Sequence, residues 1–356
     1  MGYCNMKSSF LPDDVELLLK DISGLVTPLP TEEREKKIQS GTHYCEMLPL
    51  EYKPSQKYIA AYEMALDVFS ESTAEAVGRV SQKIWKKKGK DVVIISLARA
   101  GTPVGVLIKR YIKQKYNVNV PHYSVSIIRD RGIDKNAMKY ILEKHNPKNL
   151  MFVDGWVGKG AIFGELKKEL VDFPNVDVEL AVLADPANLT ELCGTHDDLL
   201  IPSSCLNSTV CGLISRTFLR SDIIGQNDFH GAAYYEELAL EDRTYEFINK
   251  VESFFDMKDY EDNNKCNQLM DGPAEVKLIA EQYEIDNVNY IKPGIGETTR
   301  VLLRRVPWRI LISSEFAKSK ELELVYQLAE EKNVPIELTE LKNYKCCGII
   351  KKLADA

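Results

Sequence analysis

The sequence has few of the residue patterns that build a metal-bound or disulfide-bonded protein. Its eight cysteines form no CxxC pair, and its five histidines lie far apart, with none at zinc-finger spacing from a cysteine. We therefore expect no metal site of the protein's own. In the cytosol the thiols would be reduced and mostly packed. The cysteines are Cys4, Cys45, Cys193, Cys205, Cys211, Cys266, Cys346 and Cys347.

Long apolar runs and an excess of positive charge are also missing. No stretch approaches the roughly 20 apolar residues that cross a bilayer. The N-terminal MGYCNMKSSF lacks the apolar segment of a signal peptide, so we expect a cytoplasmic protein without membrane contact. The net charge of −7 and the pI of about 5.5 exclude a protein that coats nucleic acid by bulk charge.

The chain of 356 residues is too long for one ordinary domain. Residues 287–356 hold 12 Lys and Arg against 9 Asp and Glu, a net of +3, so the remainder carries −10. A polar, acidic stretch at 256–275 separates the two parts. We predict a helical extension over 1–90, an α/β domain over 91–250, a linker over 251–286 and a small domain over 287–356.

Hydrophobic spacing predicts the elements. Asp13 or Asp14 would cap a helix over Val15–Leu19, and a longer apolar stripe predicts a helix over 55–88. Further along, apolar runs alternate with helical patterns, which predicts a parallel sheet with ligands bound at the carboxyl ends of its strands. The strands are predicted at 92–96, 123–128, 149–154, 178–185 and 199–204, and the helices begin after Thr102 and Asp134 and around Ile162.

Three loops of this predicted rim carry anion-binding chemistry. Glycines before a helix let backbone amides approach a phosphate, arginine binds anions bidentately, and a carboxylate accepts hydrogen bonds from sugar hydroxyls. Together they favour a sugar-phosphate site, although each loop alone is also typical of a tight turn, and no Walker motif is present. The candidates are Ser96, Arg99, Ala100, Gly101, Arg129, Arg131, Asp154, Gly155, Gly158, Lys159, Gly160 and Ala161.

Two of these loops resemble those of type I phosphoribosyltransferases, over 96–101 and 151–162. More specifically, the chain resembles a family of phosphoribosyltransferase-like proteins found with tellurite-resistance and stress-response genes, also labelled the cysteine protease StiP family. The resemblance covers roughly residues 8–250. It rests on SLARAGTPVGVLIKR (96–110), HYSVSIIRDRGID (122–134), FVDGWVGKGAI (152–162), LIPSSCLNSTVCGLISRT (200–217) and DFHGAAYYEEL (228–238).

The resemblance implies a glycosyltransferase, specifically a pentosyltransferase, that uses phosphoribosyl pyrophosphate (PRPP) with Mg²⁺ to make a nucleoside-like metabolite. Arg99 and Gly101 would hold pyrophosphate, Asp154 the ribose, and Gly158–Gly160 with Lys159 the 5′-phosphate, while Arg129 and Arg131 would close over the site. Gly155 stands where that fold has a second acid, which indicates a divergent member. Two further candidates, Arg216 and His230, are assigned either to a substrate pocket or to local structure.

Two alternatives stay open. One is a catalytically inactive module that senses a nucleotide and passes the signal to RNA through the C-terminal domain. The other is the cysteine protease of the family label, for which Cys193, Cys205 or Cys211 with His196 or His230 is the available pool. We favour packing roles for these thiols, since the family pattern has Ala and Ser at the positions of Cys205 and Cys211.

The last segment resembles the Pelota-like RNA-binding domain, a small α/β/α sandwich. The resemblance implies that a glycine-rich turn and the helix after it face RNA, whereas a solvated basic helix face is the simpler interpretation. Strands are predicted at 309–313, 334–338 and 347–353, with a helix around 322–329. The oligomeric state stays open, with a homodimer as one alternative. The RNA-facing candidates are Lys292, Gly294, Gly296, Glu297, Thr298, Arg300 and Arg304.

Overall fold

The computed structural model describes residues 6–261, here the first unit, and 270–352, the second unit. Cys4, Cys266 and Leu353 lie outside these residues. The strands are β1 Glu16–Leu18, β2 Lys20–Asp21, β3 Val93–Ala98, β4 His122–Ile128, β5 Gly132–Ile133, β6 Leu150–Trp156, β7 Leu180–Ala184, β8 Cys193–Thr195, β9 Gly231–Ala232, β10 Ile291–Pro293, β11 Pro307–Ser313, β12 Ile336–Thr339 and β13 Cys346–Ile350. The helices are α1 Thr31–Gln39, α2 Gln56–Lys88, α3 Thr102–Tyr116, α4 Lys135–Leu142, α5 Ala161–Glu169, α6 Thr244–Glu252, α7 Gly272–Gln282, α8 Ile295–Arg304 and α9 Glu323–Glu331.

A parallel sheet forms the centre of the first unit, in the order β1-β4-β3-β6-β7-β8, with β5 antiparallel to β4. Its strands are apolar runs whose successive side chains enter opposite cores. Ile94 packs with α2, α3 and α6, whereas its neighbours Val93 and Ile95 pack with α4 and α5. Burial on both faces explains these runs, and the predicted α/β fold with a parallel sheet is confirmed.

Two local predictions in the first unit are wrong. The run Val15–Leu19 contains a strand, β1, because Leu17 and Leu19 enter one core and Leu18 the other, which a helix with one apolar stripe does not do. Residues 199–204 hold no strand, since Pro202 starts a 3₁₀ turn, and the edge strand is β8 instead. The long helix α2 and the Asp134 cap of α4 are confirmed, but Thr102 is the first residue of α3 and its hydroxyl bonds Ser124.

The second unit is an α/β/α sandwich with the sheet order β10-β13-β11-β12. Helix α7 covers one face through Val276 and Ile279, and α8 and α9 cover the other through Leu302 and Leu328. Helix α7 lies within the predicted linker, so the second unit begins earlier than its charge pattern indicates. Strands β11, β12 and β13 and helix α9 match the predictions.

The two units share one hydrophobic core. Leu302, Leu303 and Leu328 belong to the same buried cluster as Tyr62 of α2 and Cys205 of the 3₁₀ turn. Polar contacts join the units as well: Tyr58 donates to the carbonyl of Leu303. Helix α8 is thereby fixed over the carboxyl ends of the central strands. No helix within the described residues is long and apolar enough to span a bilayer.

Candidate functional site

A cleft lies between the carboxyl ends of β3, β4 and β6 and helix α8 of the second unit. Its main cavity of about 740 Å³ runs from Asp154 to the segment 49–55. A smaller pocket of about 220 Å³ continues from it under the glycine loop after β6. Asp154, Lys292 and Arg300 line both cavities, so the two are parts of one site. The second unit therefore supplies a wall of the site.

Asp154 ends the buried part of β6 and faces the cleft. Its carboxylate accepts a hydrogen bond of 2.8 Å from the Gly155 amide. Burial raises its pKa to about 6, against smaller opposing effects of that amide and of the Arg300 charge. Near neutral pH the carboxyl group is mostly ionised, although the pH is close to its pKa. An ionised carboxylate suits an acceptor of hydrogen bonds from hydroxyls.

The loop after β6 lines the smaller pocket with Gly158, Lys159, Gly160 and Ala161. Gly160 has a φ of +81° and precedes α5, so amides of the first helical turn point toward the pocket. The loop is also tied to the second unit, because Tyr344 donates to the Gly158 carbonyl at 2.6 Å. Gly155 is buried beside Ile201.

Lys159 does not extend freely into the pocket. Its ammonium donates to the carbonyls of Val288 at 2.7 Å and Ile291 at 3.3 Å. Burial and neighbouring cations lower its pKa to about 8. The ammonium is thus tethered to the second unit while Lys159 lines the smaller pocket, and its predicted phosphate contact stays a prediction.

The loop after β3 differs from its prediction because its arginine is already paired. Arg99 forms an ion pair of 2.8 Å with Glu51 and donates to the carbonyl of Ile214 at 2.8 Å. Glu51 also accepts two hydrogen bonds from Ser208. Although burial opposes ionisation, the Arg99 charge holds the pKa of Glu51 below its usual value. Arg99 therefore lines the cleft with its charge already balanced.

Two other residues of that loop are structural. Ser96 is fully buried, and its hydroxyl bonds His122 at 2.7 Å, so it is not part of the cleft. Gly101 is buried where a Cβ atom would lie 2.8 Å from the Val153 carbonyl, so it permits close packing on β6. Ala100 lines the cleft, as predicted.

Arg129 and Arg131 point to different places. Arg129 lines the smaller pocket and approaches Asn289 of the second unit at 3.4 Å. Arg131 forms an ion pair of 3.1 Å with Glu46 and borders a separate open groove. The prediction that both close over one site is wrong for Arg131, because its guanidinium is paired with Glu46 beside the separate groove.

His230 borders that same separate groove, away from Asp154. Its ring bonds the Ser126 hydroxyl at 2.8 Å, and its amide donates to Asp134. Burial lowers its pKa, which keeps the ring neutral. His230 thus has the structural role that the sequence left as an alternative. Arg216, by contrast, lines the main cavity, with its guanidinium above the ring of Tyr44.

The cleft concentrates positive charge in an acidic chain. The described residues that line the main cavity include eight cations and three carboxylates. Crowding is visible at Arg304, whose pKa is lowered to about 9 by burial and by the charges of Arg300 and Arg99. An array of this kind is stabilised by a bound anion. The cations are Arg34, Lys53, Arg99, Arg216, Lys292, Arg300, Arg304 and Arg305, and the carboxylates are Glu51, Asp154 and Glu297.

The residues predicted to face RNA lie against the first unit. Asp198 accepts hydrogen bonds of 2.9 Å from the amides of Ile295 and Lys345 and thus occupies the start of α8. Gly294 and Thr298 are buried, so neither is available to RNA in this arrangement. Gly296 faces Ser204, Arg304 donates to Asn207 at 2.5 Å, and Lys292, Glu297 and Arg300 line the cleft.

The six cysteines within the described residues are buried and form no disulfide. Burial raises the pKa of Cys205 to about 12 and that of Cys211 to about 11, which is opposite to an activated thiolate. Cys193 lies 3.4 Å from His196, whose other ring nitrogen is 3.0 Å from the Asp185 carbonyl. No group of three or more potential metal ligands occurs among the described residues.

Sequence reasoning missed the contribution of Glu51 and Trp156 to the site. Glu51 lies 48 residues before Arg99, in a segment without periodic pattern, so no local feature indicated the pair. Trp156 lines the smaller pocket beneath the Arg300 guanidinium, at 5.6 Å. An aromatic residue two positions after Asp154 on the same strand was the available indication.

Solved structures with some similarity include phosphoribosyltransferases, at a low level. A hypoxanthine-guanine phosphoribosyltransferase from Bacillus anthracis is 19% identical, with a TM-score of 0.25 over 33% of this chain and 70% of that chain. A hypoxanthine phosphoribosyltransferase from Trypanosoma cruzi is 17% identical, with a TM-score of 0.27 over 33% and 69%. Similarity of this extent carries no argument about activity.

The similarity to family models and to a curated relative covers much more of the chain. Residues 8–252 match the family described as tellurite-like stress resistance cysteine protease StiP. Residues 270–352 match the PELOTA RNA binding domain. A protein named cysteine protease StiP from Acinetobacter baylyi is 32% identical over 97% of this chain and 94% of that protein. The chain therefore belongs to the StiP family.

Proposed function

We propose that this protein is a divergent pentosyltransferase that uses PRPP or a related sugar phosphate in a stress response. The observation that supports it is the placement of Asp154 at the carboxyl end of β6, between a glycine loop and an excess of cations. A sugar diphosphate needs hydrogen-bond acceptors at its hydroxyls and positive charge at its phosphates. The cleft supplies both within one site.

Each part of the cleft has a separate role in binding the sugar diphosphate. Asp154 accepts hydrogen bonds from ribose hydroxyls and stabilises the positive charge that develops on the ring. The amides of Gly160 and Ala161 bind the 5′-phosphate at the start of α5. Lys292 and Arg300 bind the pyrophosphate in place of Arg99. Both arginines have a carboxylate partner, but the Arg300 side chain stays 32% exposed in its 3.0 Å ion pair with Glu297, whereas Arg99 is only 12% exposed in its pair with Glu51. The C1′–oxygen bond to pyrophosphate breaks, a bond from C1′ to the acceptor atom forms, and the acceptor's proton leaves to solvent.

Mg²⁺ fits this site as an ion that enters with the substrate. Asp154 and Glu297 are the carboxylates near the pyrophosphate position, and the chain offers no ligand cluster of its own within the described residues. The ion would supply neutralisation of the departing pyrophosphate. Glu297 is ionised for this purpose, since the charges of Arg300 and Lys292 outweigh burial and hold its pKa below the usual value.

A thermal-shift measurement tests the binding part of the proposal. PRPP with Mg²⁺ should raise the melting temperature of the wild-type chain, and Asp154→Asn should remove that shift. Asp197→Asn is the matched control, because Asp197 is exposed and does not line the cleft. The absence of any shift with phosphorylated pentoses in the wild type would contradict both the transferase and the nucleotide-sensing alternative.

Cysteine peptidase activity is a second candidate, favoured by the contact of Cys193 with His196. An Asp185 carboxylate oxygen lies 3.8 Å from His196, which completes an arrangement of thiol, imidazole and acid. The Cys193 side chain is, however, fully buried in the core. We therefore expect a Cys193→Ala, Cys205→Ala, Cys211→Ala variant to keep full activity. Loss of a peptidase activity in Cys193→Ala alone, with an unchanged melting temperature, would reverse this order.

A further inference from the structure

The main cavity extends well beyond Asp154, and its far end has a different charge balance. Besides Arg99 and Glu51, which neutralise each other, the far end is bordered by cations of α1, the segment 49–55, the stretch after β8 and the end of α8. Among the described residues that line this end, no other carboxylate is present, although Lys53 forms an ion pair with Glu241, which does not line the cavity. We call it the arginine end and define it by Arg34, Lys53, Arg216, Arg304 and Arg305.

Arg216 is exposed and lines the cavity. Its guanidinium lies over the ring of Tyr44, 5.8 Å from the ring centre. Enclosure by the cavity walls and the charges of Arg99, Arg34 and Arg300 lower its pKa to about 10. Each like charge in such an array costs free energy that an anion between the cations recovers.

We propose that the arginine end binds the phosphate group of the acceptor, so that the acceptor is a phosphate-bearing nucleotide and not a free nucleobase. This inference rests on the proposed function, because the Asp154 end is then occupied by the pentose donor. The volume of about 740 Å³ has room for a nucleotide beside the ribose. A free base would leave Arg216 beside the charges of Arg99 and Arg300 with no anion between them.

The acceptor is a small molecule and not an RNA chain. The start of α8 is occupied by Asp198, and the arginine end is lined by residues of both units. The rest of the chain is acidic, with a total charge of −7 in spite of this cluster. A long polyanion would be repelled outside the cleft, whereas one phosphate is attracted into it.

Calorimetric titration of the full chain tests this assignment, with adenosine 5′-monophosphate and adenosine as probes. The monophosphate should bind at least about tenfold more tightly than adenosine, since a charge-assisted arginine–phosphate contact strengthens binding by at least that factor. Arg216→Gln should remove about tenfold of that preference, and Arg216→Lys should restore part of it. Arg220→Gln is the control, because Arg220 borders the separate groove and pairs with Asp222.

Other results of these titrations would overturn either the inference or the proposed function. Equal affinity for the two probes, or a preference that Arg216→Gln leaves intact, would overturn the inference. So would a 5′-phosphorylated oligoribonucleotide that competes much more strongly than the mononucleotide, since it would assign the site to RNA. PRPP should bind the Arg216→Gln variant normally and fail to bind Asp154→Asn. Monophosphate binding that depends on Arg216 without any PRPP binding would instead contradict the proposed transferase.

Discussion

At the scale of single residues, the site is defined by charges whose partners are distant in sequence. Asp154 and the glycines after it were predictable, because an acid at the end of a buried strand is a local pattern. The ion pair of Arg99 with Glu51 was not, since it joins separate parts of the chain. Arg131 lies outside the predicted site, because the side chains of Arg129 and Arg131 leave their loop in different directions.

Replacement of Asp154 should stabilise the protein near neutral pH. Folding raises the pKa of Asp154 from 3.8 to about 6. The folded protein therefore loses stability as the pH rises from the pKa of the unfolded state to that of the folded state. Above pH 6 the Asp154→Asn variant avoids this loss, which is at most about 3 kcal/mol. Urea unfolding at pH 4 and pH 8 measures it. A variant that is less stable than the wild type at pH 8 would contradict a functional cost at this position.

The same titration should appear in ligand binding. Only ionised Asp154 accepts hydrogen bonds from both ribose hydroxyls, so PRPP affinity should fall as the pH drops below about 6. The phosphates of PRPP also titrate near this pH, and Asp154→Asn separates the two effects. Any residual binding by the variant should lack the part of the pH dependence that belongs to Asp154. Identical pH profiles for both proteins would exclude the assignment.

At the scale of elements, periodicity predicted long or deeply buried segments and failed at short ones. Strands β3, β4, β6 and β7 and helix α2 follow their apolar patterns. The three successive leucines at 17–19 fit either period and predict a helix, whereas packing on both faces makes the segment a strand. Helix α7 was missed because its surroundings are acidic and polar.

Asp198 fixes the start of α8 and should be essential to its position. Asp198→Ala removes the acceptor of the Ile295 and Lys345 amides, at a cost of about 1–3 kcal/mol in the free energy of unfolding. In this variant, hydrogen exchange should accelerate at the Ile295 and Lys345 amides more than at the amides of β3. Asp197→Ala serves as the exposed control. Unchanged protection of both amides would show that the second unit is held by its apolar contacts alone.

At the scale of the whole molecule, the two units behave as one body in which each completes the other. The charge pattern predicts two separate domains joined by a linker, but it carries no information about the packing of α2 on α9 or of the 3₁₀ turn at Pro202–Cys205 on α8. For the same reason, four of the predicted RNA-facing residues line the cleft instead: Lys292, Glu297, Arg300 and Arg304. Contacts between units depend on matching surfaces, which neither composition nor spacing records.

The shared core predicts a single cooperative unfolding transition. Trp85, stacked on Tyr116, reports on the first unit, and Trp308, in contact with Tyr283, reports on the second. Fluorescence of variants in which Trp85 or Trp308 is the single tryptophan should give coincident midpoints in urea. Two separated transitions, with Trp308 lost first, would show that the second unit folds and unfolds independently.

The central claim is that the cleft transfers a pentose, and pyrophosphate release tests it most directly. The wild-type chain is incubated with PRPP, Mg²⁺ and a mixture of nucleobases and nucleoside monophosphates. We expect release that is saturable in PRPP, requires an acceptor, and is lost in Asp154→Asn but kept when Cys193, Cys205 and Cys211 are replaced by alanine. Release no faster from the wild type than from Asp154→Asn would contradict it, and PRPP binding without release would identify a sensor.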